Sequence, residues 1–158
     1  MSRARKTTPL PVLPDAPFGW PHKVAVAFLR LHGSLERRMS AALADHGLTL
    51  AQFDLLMTLC HGDGITQQEL AERLLVTKAN VVGLIDRVSA AGWVERRADP
   101  DDRRANRIFL TPAGRKLATK AQPEQGQLVQ TIFGSSSEAE LTQIHAALER
   151  FEKLCHNE

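Results

Sequence analysis

The sequence predicts a mainly α chain with a small β-hairpin: a winged helix-turn-helix set between N- and C-terminal helices that would serve dimerisation. Apolar residues recur at steps of three and four through most of the chain. Two helix-start signals, Thr66-Gln-Gln-Glu69 and Thr77-Lys78, stand close together, so a short helix is followed almost at once by a second. A single arginine-rich hairpin pattern, Trp93 to Arg97 and Asn106 to Leu110, comes next.

Element by element, residues 1–17 hold four prolines and nothing periodic, which reads as a flexible arm. Val24, Phe28, Leu31, Leu35, Met39 and Ala42 then mark one face of a long helix ending before Gly47. Thr49 to Gln52 matches a capping box and opens a helix near Ala51 to Cys60. His61 to Gly64 is a turn. The short helix after Thr66 turns Leu70, Ala71 and Leu74 inward, and the next, from Lys78 to about Ala91, carries Val81, Leu84, Ile85 and Val88 on its buried stripe. Pro100, between Asp99 and Asp101, suits a turn at the hairpin tip. Thr111-Pro112 starts a helix toward Ala121, where Pro123 should bend or interrupt it. A last capping box, Ser137 to Glu140, precedes a helix with Leu141, Ile144, Leu148, Phe151 and Cys155 on one face. The stripes of the first and last helices are longer than a domain of this size covers alone, and a second chain is the simplest cover.

Composition narrows the function classes. With 158 residues and 43% apolar content the chain can build one core. Twenty Lys and Arg against 18 Asp and Glu leave a net charge of +2, so only the placement of charge can argue for nucleic acid. No apolar stretch approaches the roughly 18 residues of a membrane span, and prolines follow the basic start, so a cytoplasmic protein is expected. Cys60 and Cys155 lie too far apart in such a chain to suggest a disulfide framework.

In a helix-turn-helix the second helix can enter the DNA major groove, its first residues reaching base edges and its positive dipole end facing phosphate. Those residues are Thr77, Lys78, Ala79 and Asn80. Lys can contact guanine or phosphate, Asn can bond adenine through two atoms, and the Ala methyl can touch thymine. Gln67 and Gln68 would hold the register on the backbone. The hairpin carries Arg96, Arg97, Arg103, Arg104 and Arg107 interleaved with Glu95, Asp99, Asp101 and Asp102. Acids so placed are expected to orient arginines: Asp102 and Arg104 share a strand face and could pair, aiming the guanidinium at the minor groove.

These residues resemble the MarR family of bacterial transcriptional regulators. The resemblance runs through Leu48 to Met57, Thr66 to Val88, and the wing from Asp99-Pro-Asp-Asp-Arg-Arg-Ala105 to Leu110-Thr-Pro-Ala-Gly114, and the helical layout extends it over roughly Phe18 to Cys155. It implies a ligand-responsive repressor, a homodimer whose winged domains (48–111) cover the halves of a near-palindromic operator and whose helical regions (18–47 and 112–158) hold the pair together. Lys78, Ala79 and Asn80 fall in the family's recognition helix; Asp102, Arg103 and Arg104 fall in its wing, where Asp102 and Arg104 match an Asp-x-Arg motif. Where many members place an arginine in the recognition helix, this chain has Gly83. The resemblance also implies release by a small ligand, often an anionic aromatic. Trp20, Asp54 and Arg87 look like residues used by its urate-responsive branch, although Trp20 could simply pack the first helix and Asp54 and Arg87 form an ion pair.

Other chemistry is less well supported. His22, His32, Asp45, His46, His145 and His156 fit no compact metal-ligand spacing. Cys60 and His61 are adjacent on a helix and so point apart, which argues against a nucleophile and its base, and no cofactor or catalytic role is expected. A winged-helix adaptor that binds protein rather than DNA is the alternative from another class.

Overall fold

The computed structural model describes residues 19–100 and 106–156. The chain divides after Glu36 into two units. In the first, the described residues form the beginning of α1 (Gly19–Ala44), where Trp20, Val24, Phe28, Leu29 and Leu31 all stand exposed, Trp20 at 77%.

The second unit contains the end of α1, then α2 (Leu50–His61), β1 (Ile65–Thr66), α3 (Gln67–Arg73), α4 (Lys78–Ala90), β2 (Val94–Ala98), β3 (Asn106–Leu110), α5 (Pro112–Phe133) and α6 (Glu138–His156). The core gathers side chains from every element but α6: Leu43 from α1; Phe53, Leu55, Leu56 and Leu59 from α2; Ile65 from β1; Leu70 from α3; Val81, Ile85 and Val88 from α4; Val94 from β2; Ile108 from β3; Ala118 and Ala121 from α5. The antiparallel sheet has the order β1-β3-β2.

The capping signals place the helix starts. Thr49 with Gln52, Thr66 with Glu69 and Ser137 with Glu140 each exchange side-chain and backbone bonds in both directions, while Thr77 and Thr111 accept from the amides three residues on. Each hydroxyl satisfies an amide that would otherwise lack a partner in the first turn.

The structure extends one expectation and corrects another. The hairpin is joined by a third strand, β1, whose two residues pair Ile65 with Ile108 and Thr66 with Arg107. Two residues are too few to show the alternation by which a strand is read from sequence. The helix read as running toward Ala121, to be bent or interrupted at Pro123, is not interrupted there and continues to Phe133. Pro123 lacks the amide that would bond the Thr119 carbonyl, but both residues lie on the exposed side of α5, where solvent can satisfy that oxygen, while Ala118 and Ala121 anchor the opposite side in the core. The predicted apolar stripe of α6 is present and largely uncovered within the chain: Ile144, Leu148, Phe151 and Cys155 are exposed and Leu141 is half-buried. Among the described residues no helix is long and apolar enough to cross a membrane.

Three helices end in the same way, with a residue of positive φ followed by a six-to-one hydrogen bond. At the ends of α1 and α4 the positive-φ residue is Gly47 or Gly92; at the end of α3 it is Leu75, with φ 53°. There the Val76 amide donates to Ala71 O at 3.0 Å and the Leu75 amide to Glu72 O at 3.2 Å. Leu75 is 71% exposed, so its side chain gains little from packing while its Cβ crowds the backbone. Leu75→Gly is therefore expected to stabilise the fold by up to about 1 kcal/mol, raising the melting temperature by a few degrees. Thermal unfolding followed by circular dichroism checks this, and a lowered midpoint would mean that the leucine side chain holds the turn.

Candidate nucleic-acid interface

The first turn of α4 is built to face outward. Val81, Leu84, Ile85 and Val88 commit one stripe of the helix to the core, which leaves Lys78, Ala79 and Asn80 exposed at its start. Thr77 caps the helix through its hydroxyl, which accepts from the Asn80 amide at 3.3 Å. Lys78 is held by α3: its Nζ donates to Gln68 Oε1 at 3.2 Å, and Gln68 Nε2 donates in turn to Glu72 Oε1 at 3.1 Å. The ammonium therefore sits at a defined place near the positive end of the helix dipole. Gln67 is half-buried and Gln68 exposed at the start of α3. Thr66, Gln67, Gln68, Glu69, Lys78 and Asn106 line one groove, so α3, α4 and the first residue of β3 share a surface. Bonds from the Thr66 amide and hydroxyl hold the Glu69 carboxyl below the usual carboxylate range, with the charges of Arg107 and Arg73 adding to the effect.

On the wing, side chains alternate across the sheet. Val94, Arg96, Ile108 and Leu110 share the face toward the core, and Arg96 pairs there with Asp86 of α4. Glu95, Arg97, Arg107, Phe109 and Thr66 share the other face by register. Arg97 pairs with Glu95 and stacks on the Phe109 ring, its guanidinium carbon 4.3 Å from the centroid. Arg107 Nε lies 2.8 Å from Asp99 Oδ2, and Arg107 Nη1 donates to Gly64 O at 3.1 Å.

Acids do orient arginines on this hairpin. The pair expected to do so, Asp102 and Arg104, lies outside the described residues together with Arg103. Among the described residues the pairings are Asp99 with Arg107, Glu95 with Arg97 and Asp86 with Arg96. Neither Asp99 nor Asp86 was singled out as a partner from sequence. The strand register would have found the first of them, since pairing Ala98 with Asn106 brings the flanking Asp99 and Arg107 together across the hairpin.

The residues expected at an effector site belong to different units. Trp20 is in the first unit, with Lys23 Nζ 5.5 Å from its ring centroid. Asp54 and Arg87 are in the second, where among the described residues they form no ion pair, so that alternative is not supported. Asp54 is partly buried, and burial pushes its carboxyl above the ordinary value. Arg87 is exposed on α4.

Burial also raises the Cys60 thiol, Arg115 lowering it and Asp63 raising it to smaller extents, which leaves less thiolate for nucleophilic chemistry. His61 Nδ1 is 2.7 Å from Met57 O, so this ring nitrogen is engaged by its own helix. Among the described residues no three His, Cys, Asp or Glu side chains cluster as metal ligands would. His46 lies 3.5 Å from Glu124, and His145 3.9 Å from Glu149.

Against known proteins, residues 46–105 match the MarR family. The transcriptional repressor Mb2911 of Mycobacterium bovis is 33% identical over 108 residues, 68% of this chain and 73% of that protein. The transcriptional regulator PecS of Dickeya dadantii is 28% identical over 122 residues, 75% of this chain and 74% of its own. Among solved structures, the S. aureus MepR–DNA complex superposes with a TM-score of 0.77 at 25% identity, covering 82% of this chain and 96% of that one.

Proposed function

The chain belongs to the MarR family, and from that premise we propose that it is a transcriptional regulator which binds duplex DNA as a homodimer and represses until a small ligand releases it. The observation that carries this reading is the exposed first turn of α4, where Lys78 is held by Gln68 beside Ala79 and Asn80. A turn of this kind offers a cation, a methyl group and an amide to base edges and phosphates. Gln67 and Gln68 would contact the backbone, and Arg103 and Arg104, steadied by Asp102, the adjacent minor groove. The likeness to a structure solved with DNA supports the binding mode, and the relative named as a repressor supports the direction of regulation.

Uncovered apolar surface supports dimerisation. Val24, Phe28 and Leu31 of α1, and Ile144, Leu148 and Phe151 of α6, are exposed in the single chain, and a second copy would remove each set from water. Twofold symmetry then sets half-sites about one helical turn, roughly 10 base pairs, apart. The effector is proposed to be a small anionic aromatic, urate among them, with Arg87 as the cation that meets its charge. It releases DNA by favouring the dimer conformation whose recognition helices no longer match the groove spacing.

Fluorescence anisotropy tests the reading, using a labelled duplex taken from immediately upstream of the chain's own reading frame. Two chains per site and a steep loss with salt are expected, roughly a thousandfold or more between 50 and 200 mM if six phosphates are neutralised. An affinity indifferent to salt would instead favour the protein-binding adaptor. Urate and other aromatic acids added to the preformed complex test release.

A further inference from the structure

Arg107 is not among the residues expected to touch DNA, yet its position is unusual. It sits in the middle strand β3, opposite Arg97 of β2 on one side and Thr66 of β1 on the other. Its guanidinium reaches two parts of the chain that the wing must keep in register. Nε is 2.8 Å from the Asp99 carboxylate, which directly follows β2 where the hairpin tip begins. Nη1 donates at 3.1 Å to the carbonyl of Gly64, three residues before α3 starts.

Both partners are themselves fixed. The Asp99 side chain is 5% exposed, so its carboxylate has little water and depends on protein partners for its charge. Gly64 has φ 75°, and its amide donates to Ile108 O at 2.8 Å. A Cβ on Gly64 would lie 2.9 Å from the Phe109 ring, so that ring covers the residue closely while Arg97 stacks on the same ring. The carbonyl offered to Arg107 is therefore held in place. A solvated surface arginine needs neither a buried carboxylate nor a clamped carbonyl.

We propose that Arg107 is a positioning residue: through Asp99 and Gly64 it locks the base of the wing to the junction leading into α3, so that wing and recognition helix meet DNA at a set spacing. The inference rests on the DNA-binding reading and adds a residue that acts without needing to contact the duplex. Pure electrostatics and positioning predict opposite signs for one substitution. Asp99→Asn removes a negative charge near a polyanion, so by Coulomb attraction alone DNA affinity would rise. If Asp99 serves to hold Arg107, affinity falls instead.

The experiment measures binding of the full chain and its Asp99→Asn and Arg107→Lys variants to the upstream duplex and to a scrambled duplex of equal composition. Thermal midpoint and light scattering establish that each variant is folded and has the oligomeric state of the parent. Asp99→Asn is expected to weaken binding to the upstream duplex at least about tenfold, and Arg107→Lys, which keeps the charge but loses the fork, by a smaller factor. Binding to the scrambled duplex, which depends mainly on total charge, should change much less. Unchanged or tighter binding by folded Asp99→Asn overturns the positioning role, while the parent's own salt-dependent binding keeps the DNA reading standing. Should Asp99→Asn not fold, unchanged affinity in Arg107→Lys overturns the role equally well. A parent chain that binds neither duplex overturns both readings together.

Discussion

Gly114→Ala is expected to destabilise the fold by about 3 kcal/mol or more, a large share of the roughly 5–15 kcal/mol by which a domain is stable. Gly114 lies in the first turn of α5, directly against the end of the α4–β2 connection. A Cβ there would fall well inside contact distance of the Trp93 carbonyl oxygen, 2.9 Å from that carbonyl carbon and 3.0 Å from Leu110 Cδ1. The backbone cannot step aside cheaply. Trp93 O accepts from the Thr111 amide at 3.0 Å, and the Thr111 hydroxyl lies 3.0 Å from the same oxygen and accepts from the Gly114 amide at 3.0 Å. Moving α5 outward would break the cap and open the core at Ala118 and Ala121. A melting temperature lowered by about 10 °C should accompany the change. Gly126→Ala in the same helix is the internal control, because nothing lies within 4 Å of its Cβ position, and it should stabilise by about 0.5–1 kcal/mol. Equal melting temperatures for the two variants would show that the close approach at Trp93 is not rigid.

Lys78→Glu is expected to weaken DNA binding about 100-fold while leaving the protein folded. In the proposed homodimer each of two reading heads would lose a cation and gain an anion facing phosphate, and a loss of about 1.4 kcal/mol per head is enough for that factor. The slope of log affinity against log salt should fall by about 2 for the dimer, from one displaced counterion per head. The substitution separates binding from stability because an acid in the first turn of a helix complements the dipole, which contributes about 0.3–1 kcal/mol in favour of the fold. Gln68 can still bond the new side chain, since its amide carries both donor and acceptor atoms. Anisotropy over a salt series, with circular dichroism on the same samples, reads both effects. Unchanged affinity with an unchanged slope would remove the start of α4 from the interface.

Much of the site was legible because local signals are strong where a helix begins. Thr66 with Glu69 and Thr77 satisfy amides within three residues of themselves, so the starts of α3 and α4 and the exposure of Lys78 to Asn80 follow from short-range rules. What escaped was longer in range. β1 exists because Gly64 turns the chain so that Ile65 meets Ile108, 43 residues away, and no pattern within two residues can announce that. Pro123 is a related case: its local preference argues for a bend or break, while the helix continues to Phe133 with Ala118 and Ala121 buried in the core. The arginines and acids of the wing were all visible as residue types, but which acid holds which arginine is a matter of register across β2 and β3.

The sequence by itself therefore determined the helix starts, the inward stripes, the hairpin and the family resemblance, since each rests on spacing within a turn or two of chain. Only the tertiary structure decided that Asp99 would be buried beneath Arg107, that the Gly64 carbonyl would meet the same guanidinium, and that Gly114 would lie against Trp93. Those contacts join residues eight to 43 positions apart, and a side chain or carbonyl acquires such a partner only when packing of the whole core brings distant backbone within hydrogen-bond reach.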